Sequence, residues 1–246
     1  MFVLAPLLEI PTSEKSRRFL ELLSKVAVET RRDELGCKAY GWFTNAEPTE
    51  AIPGHWLRGF EVFALLPSPP ITKNPLLTDS WFRYETPADN REKHRAGQAY
   101  KNFREAVLSE GLLPEYPDMR FWCPTGAGFL TRTPVEFKSS GDPSAGYIVI
   151  QDLTLDNSAA KAKAVDKLNA FAKSAEASIE SFYILERENA KDGDDLIVFA
   201  RFDSAENYAS CRATEAGQAW KAAEAIAKSV RTTQWNESGV GFLGRP

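Results

Sequence analysis

Hydrophobic and polar positions along the chain switch between two periods. Residues 2–9 form an apolar run that reads as a strand. Thr12 and Ser13 then offer N-caps for a helix whose apolar positions Phe19, Leu22, Leu23 and Val26 follow the i, i+3, i+4, i+7 rule. Gly36 stands where a C′ glycine would end that helix. Alternation with period two returns over 37–43 and 56–66, joined by a hairpin through 47–54. A second helix over 89–109 carries a stripe of Ala96, Tyr100, Phe103 and Val107, and 120–132 reads as a last strand. The order repeats from Tyr147. A strand over 147–155 leads to an Ala-rich helix with Val165, Leu168, Ala172 and Ala175 on one side. A hairpin then joins 182–188 to 196–202, Ser204 caps a helix, and 230–245 closes the unit.

The repetition extends to residues. Trp122-Cys-Pro-Thr125-Gly126-Ala-Gly128-Phe129-Leu130-Thr-Arg132 answers Trp235-Asn-Glu-Ser238-Gly239-Val-Gly241-Phe242-Leu243-Gly-Arg245 at an offset of 113. Gly97-Gln98-Ala99-Tyr100-Lys101 answers Gly217-Gln218-Ala219-Trp220-Lys221 at 120, and Phe63-Ala64 answers Phe199-Ala200 at 136. Fixed-order self-similarity is the mark of duplication. The falling offsets place extra residues of the first copy in two Pro-rich stretches, 67–87 and 112–118, where insertions into surface loops cost little. Each copy, 1–132 and 145–246, is a β-α-β-β-α-β unit of the ferredoxin-like kind, with both helices on one sheet face. The bare face needs a cover. The expectation is therefore an α+β fold of two tandem ferredoxin-like units, their four-stranded sheets face to face, as a pseudo-dimeric α/β barrel within one chain. Such a chain needs no second copy in order to fold.

Asp33-Glu34-Leu35-Gly36-Cys37-Lys-Ala-Tyr40 resembles the "E-x-P-G-C-x-x-Y" passage of antibiotic-biosynthesis monooxygenase domains, with Leu35 in place of the Pro. His94-Arg-Ala-Gly97-Gln-Ala-Tyr100-Lys-Asn-Phe103 is similar to their "H-x-x-S-x-x-(aromatic)-x-x-F" helix, with Gly97 in place of the Ser. The Gly-Phe-Leu-x-Arg ending resembles fungal members that carry two such units. The resemblance implies a cofactor-independent oxygenase acting on an aromatic or polyketide-like secondary metabolite. A base, His94 or Tyr40, would take a phenolic or enolic proton, and the electron-rich anion would react with O2. Proton shuffling alone, as in an isomerase, cyclase or dehydratase, is the second reading, and a non-catalytic binding protein the third.

Composition narrows the partners. A net charge of −4 gives no basic footprint for nucleic acid, and 43% hydrophobic with 26% charged residues is ordinary for a globular chain. No apolar run nears the roughly 18 residues of a membrane span. The opening MFVLAPLLEI lacks the basic start of a signal peptide. Cys37, Cys123 and Cys211 are few and scattered, as expected of buried free thiols in a reducing, cytoplasmic compartment. Two histidines, His55 and His94, and these cysteines give no metal-ligand spacing. The Thr125-Gly-Ala-Gly128 segment is not a phosphate loop, because its twin is followed by five residues and no helix. It reads as a glycine-bent strand edge.

His94 carries the candidate chemistry, as a general base or a heme ligand. On a continuous helix it shares a polar stripe with Arg91, Gln98, Lys101 and Glu105, which is the setting of a solvated histidine. Tyr40, Trp42, Trp56, Phe60, Trp81, Phe82, Tyr84 and Tyr100 supply aromatic surface for a flat phenolic substrate. Trp81, Phe82 and Tyr84 lie in the inserted stretch and are expected to face a ligand as a lid. Trp42 and Tyr100 complete the expected substrate contacts. Only the first copy has the histidine, Thr214 being its counterpart, so the working site is expected there.

Overall fold

The computed structural model describes residues 1–64, 94–175 and 179–245. The first half contributes β1 (Phe2–Leu4), β2 (Leu7–Leu8), α1 (Ser13–Asp33), β3 (Cys37–Asn45), β4 (Leu57–Phe63), a 3-10 turn His94–Ala96, α2 (Gln98–Ser109) and β5 (Trp122–Phe129). After β6 (Val135–Glu136), the second half contributes β7 (Tyr147–Thr154), α3 (Ser158–Ser174), β8 (Ser181–Arg187), β9 (Leu196–Phe202), α4 (Ala205–Ala213), α5 (Glu215–Glu224) and β10 (Ser229–Leu243).

Eight antiparallel strands close into a barrel in the order β1-β5-β8-β9-β7-β10-β3-β4, with β4 returning to β1. The α+β pseudo-dimeric barrel is thus the fold, but its two sheets are not separate stacked layers. The last strand of each half crosses onto the other half's sheet. β10 pairs with β7 over Ser229 to Asn236 and then with β3 over Trp235 to Leu243, while β5 pairs with both β1 and β8. Closure removes the open edges that a free sheet would present.

The twin glycine motifs make these crossings. Register slips between Pro124 and Gly128 and between Glu237 and Val240, the signature of a bulge that bends a strand. At each bulge a hydroxyl bonds the neighbouring strand: Thr125 Oγ1 donates to the Ile184 carbonyl at 3.1 Å and Ser238 Oγ to that of Trp42 at 2.6 Å. Gly128 and Gly241 have φ of +79° and +117°. A Cβ there would run into the carbonyl oxygens of Phe182 and Tyr40 respectively, so only glycine fits.

Three packed layers follow from strand alternation. The barrel interior holds Val3, Phe43, Phe60, Trp122, Ile148, Leu185, Phe199 and Trp235. At its centre Phe60 stacks on Phe199 with ring centroids 4.0 Å apart. This contact corrects the alignment of the copies. Phe63 faces α1 and α2 whereas Phe199 faces the interior, so Phe63 matches Phe202 and the true offset over β4 and β9 is 139. Outside the barrel, α1 and α2 cover one side with Phe19, Leu23, Val26 and Val107. The α3 and α5 helices cover the other with Leu168, Phe171 and Trp220.

Local signals differ from the sequence in three places. Thr12 caps α1 through a 3.2 Å bond from the Lys15 N–H, but Gly36 does not adopt the left-handed C′ conformation, and the helix ends at Glu34. The second helix of the second half breaks at Thr214, which caps α5 by accepting from Gly217 N at 3.1 Å. Cys123 is half-exposed while Cys37 and Cys211 are buried. Among the described residues no helix is long and apolar enough to cross a membrane.

Candidate functional site

The charged groups of the first half that should be solvated are instead drawn together between α1, α2 and the outer face of β3 and β4. His94 is 5% exposed. The expected polar stripe fails because an α-helix does not run through it. His94 sits in a 3-10 turn, and Gly97, with ψ of 144°, starts α2 in a new phase. The helix start is fixed from α1, where Glu29 Oε2 accepts from the Ala99 N–H at 2.8 Å. A Cβ on Gly97 would meet the Glu29 carboxylate and require it to shift.

The imidazole meets Glu34, the C-cap of α1. His94 Nδ1 lies 2.8 Å from Glu34 Oε1 and 3.5 Å from Thr30 Oγ1, and Thr30 Oγ1 itself donates to Glu34 Oε1 at 3.0 Å. Glu34, Thr30 and Glu61 are all buried. Glu61 pairs with Tyr40 across β3 and β4 on the helix-facing side. The rings of Tyr40, Phe63 and Tyr100 surround His94 at centroid distances of 5.8, 5.9 and 4.9 Å. Trp42 stands edge-on to Tyr40 at 6.2 Å, and among the described residues its buried indole N–H makes no hydrogen bond of ordinary geometry.

The second copy supports this cluster through its last motif residue. Arg245 donates to the carbonyls of Thr30, Arg31, Glu34 and Cys37 at 2.5 to 2.9 Å. It thereby adds donors to the last turn of α1, where carbonyls run short of intrahelical partners, although the Thr30 carbonyl also accepts from Glu34 N at 3.0 Å.

Burial and charge set the proton affinities. Burial alone would depress His94, but the Glu34 hydrogen bond and the charges of Glu34 and Glu61 outweigh it, and the net shift is upward. Burial first, and then the charge of Glu34, push Glu61 up to about 7 against a partial offset from His94. Burial, then Glu61, hold the Tyr40 phenol well above its ordinary range, so it keeps its proton at neutral pH. Burial likewise keeps the Cys37 thiol protonated. The arrangement sets a histidine fixed by a carboxylate beside a second carboxyl near neutral titration and a phenol, groups that are able to exchange protons.

Of the residues singled out in the sequence, His94, Tyr40, Tyr100 and Trp42 come together here. Phe60 belongs to the barrel interior and not to this site. Trp81, Phe82, Tyr84 and Arg91 lie outside the described residues. Glu34 and Glu61 were not picked out as site residues, although both left a trace. Glu34 belongs to the motif that carries Tyr40, and Glu61 is the one charge among the helix-facing positions Leu57, Gly59 and Phe63 of β4. The rings of Tyr40, Phe63 and Tyr100 pack around the His94 imidazole, so a heme on its Nε2 would require at least one of them to move. Among those residues no group of three His, Cys, Asp or Glu is placed to hold a metal ion.

No family model matches the chain, and no curated protein matches it in sequence. Solved structures do resemble it. A candidate monooxygenase from Fusobacterium nucleatum superposes with a TM-score of 0.71 at 7% identity, covering 99% of this chain and 94% of that one. A candidate monooxygenase from Lactobacillus acidophilus gives 0.63 at 13% identity, covering 99% and 95%. An anthrone oxidase-like protein gives 0.51 at 14% identity, covering 96% and 90%. At these identities the likeness establishes the fold, a dimeric α/β barrel completed within one chain.

Proposed function

We propose that the chain is a cofactor-independent oxygenase that acts on an electron-rich aromatic or polyketide-like molecule, with His94 as the base. The observation that carries this reading is the buried His94–Glu34 pair beside Glu61 and Tyr40. All hydrogen bonds of His94 among the described residues run through Nδ1, so Nε2 is the nitrogen offered to substrate. Ionised Glu34 accepts from Nδ1–H and stabilises the imidazolium that forms, in the manner of a base–orienter pair. Tyr100, half-buried and edge-on to the imidazole, is the ring that turns aside to admit substrate. Tyr40 and Trp42 supply N–H and O–H donors for the substrate oxyanion. Trp42 and Tyr100, with Trp81, Phe82 and Tyr84, are the proposed substrate contacts.

The reaction balances without a cofactor. His94 removes a proton from an activated CH2 flanked by phenolic rings, the carbanion transfers an electron to O2, and the radical pair joins as a hydroperoxide. Loss of water then leaves a carbonyl, so that CH2 and O2 become C=O and H2O. Anthrones present this CH2, and one structural relative is described as anthrone oxidase-like. The test is O2 uptake with an anthrone at neutral pH. His94→Gln should slow it at least tenfold, about 1.4 kcal/mol in barrier. Equal uptake by the variant, or none by the wild type, refutes the reading. The same acid–base groups would serve an isomerase or dehydratase, and product formation without O2 uptake selects that alternative.

A further inference from the structure

At one mouth of the barrel the two copies meet without matching. Leu7 pairs with Arg58 in the first half and Asp152 with Ile197 in the second. The two registers are equivalent, so Arg58 occupies the place of Ile197, and Asp152 that of Leu7. Leu7 and Ile197 show that apolar side chains close this end of the barrel. The charges are therefore not a demand of packing.

Arg58 has a side chain only 4% exposed and reaches Asp152 through Nη2 at 3.3 Å, yet its buried Nε has no partner among the described residues. Arg187, on β8, is 8% exposed and lies over the Trp122 ring at 3.8 Å. Its Nη2 reaches Asp118 at 3.3 Å, while Nε and Nη1 are buried without partners among the described residues. Both guanidiniums line a cavity of about 440 Å³ whose walls include Trp122 and Tyr116, within the range of small-molecule sites. Burial of a cation with unmade hydrogen bonds is unfavourable, and an oxyanion entering the cavity would supply acceptors to both guanidiniums.

The cavity's own carboxylates do not fill that role. Asp118 is paired with Arg120 as well as Arg187, and Asp152 with Arg231 as well as Arg58. Glu9 and Glu115 line the same cavity but are exposed. This acidic rim disfavours a multiply charged ligand, whereas the buried donors and aromatic wall favour one charge on an apolar body.

We propose that this mouth is a second binding site, for a monoanionic organic acid whose carboxylate is held by Arg58 and Arg187 and whose apolar body lies along Trp122 and Tyr116. The site is on the interior side of the barrel, apart from the helix-facing His94 cluster, and does not depend on the reaction proposed there.

Calorimetric titration of the full chain with benzoate, benzamide and inorganic phosphate tests it. Benzoate is expected to bind saturably at one site and benzamide, equal in shape but neutral, at least tenfold more weakly. Arg187→Gln should weaken benzoate at least tenfold, and circular dichroism checks that the variant is folded. Asp118→Asn, which removes a competing anion from Arg187, should tighten benzoate. His94→Gln should leave it unchanged. Absence of saturable benzoate binding, equal binding of benzamide, indifference to both Arg187→Gln and Asp118→Asn, or loss of benzoate binding in His94→Gln would overturn the proposal. Phosphate binding tighter than benzoate would overturn the choice of a monocarboxylate.

Discussion

Glu61→Gln isolates the energetic cost of placing a second carboxyl beside His94. Glu61 is 6% exposed, and its proton affinity rises from an ordinary 4.5 to about 7 in the folded chain. A group whose folded value is raised binds its proton more tightly in the folded than in the unfolded state. Its stabilising contribution is full below about 4.5, falls as pH rises from there to about 7, and is gone above that. The span is roughly 2.5 units, or about 3 kcal/mol at 1.36 kcal/mol per unit. Glutamine keeps the shape of the protonated acid and cannot ionise. Urea unfolding at pH 4.5 and pH 8.5 should therefore show the wild type losing stability relative to Glu61→Gln by up to about 3 kcal/mol. Protonated His94 offsets part of the Glu61 charge, so about 1 kcal/mol is the smallest shift consistent with the reasoning. A stability difference between the two proteins that does not change with pH would show that Glu61 is not buried beside His94 and would refute the site as described.

Glu34→Gln removes both the hydrogen bond and the charge that raise His94, so its pKa should fall below the wild-type value. Imidazole proton shifts report this directly, since His55 is the only other histidine. Gly241→Ala places a Cβ against the Tyr40 carbonyl at a φ of +117° and should cost more than about 2 kcal/mol in chemical denaturation. Trp220 is fully buried and donates to Gln151 at 2.8 Å, so Trp220→Ala should cost about 3 to 5 kcal/mol, with any activity lost only through unfolding. Light scattering should give the mass of a single chain at micromolar concentration, because both sheet faces and all barrel edges are covered internally.

The fold was legible because duplication wrote its hardest requirement twice. A bulge that carries a strand from one sheet to the other needs a hydroxyl and two glycines at fixed spacing, and both copies retain them at 125–128 and 238–241. The misalignment of Phe63 with Phe199 has an equally physical origin. Strand side chains alternate faces, so a shift of three residues pairs an outward ring with an inward one, and only coordinates reveal which face each occupies. His94 was misplaced because wheel geometry assumes one unbroken helix. Gly97 ends that assumption, and what meets it there is the carboxylate of Glu29, sixty-eight residues earlier in the sequence. Long-range contacts of this kind leave no periodic trace.

The two halves carry unequal duties that follow from their packing. In the second half the counterpart of His94 is Thr214, whose hydroxyl accepts from Gly217 N and donates to the Cys211 carbonyl at 2.7 Å. The same position is a helix cap in one copy and an imidazole turned into a carboxylate cluster in the other. Around it, Phe171, Phe182 and Trp220 fill the second copy's interior with mutual ring contacts near 5 Å, and α3 closes on α5 through small Ala164, Ala172 and Ala223. That half holds no comparable buried acid–base group on its helix-facing side among the described residues, yet its final Arg245 reaches across to fix the end of α1 beneath Glu34. Two separate chains in this fold would have to place the same residue at both positions. Fusion removes that identity constraint, so one copy can concentrate buried charge while the other spends its residues on rigid packing. The same freedom puts Arg58 opposite Asp152 where an exact dimer would have repeated one pair.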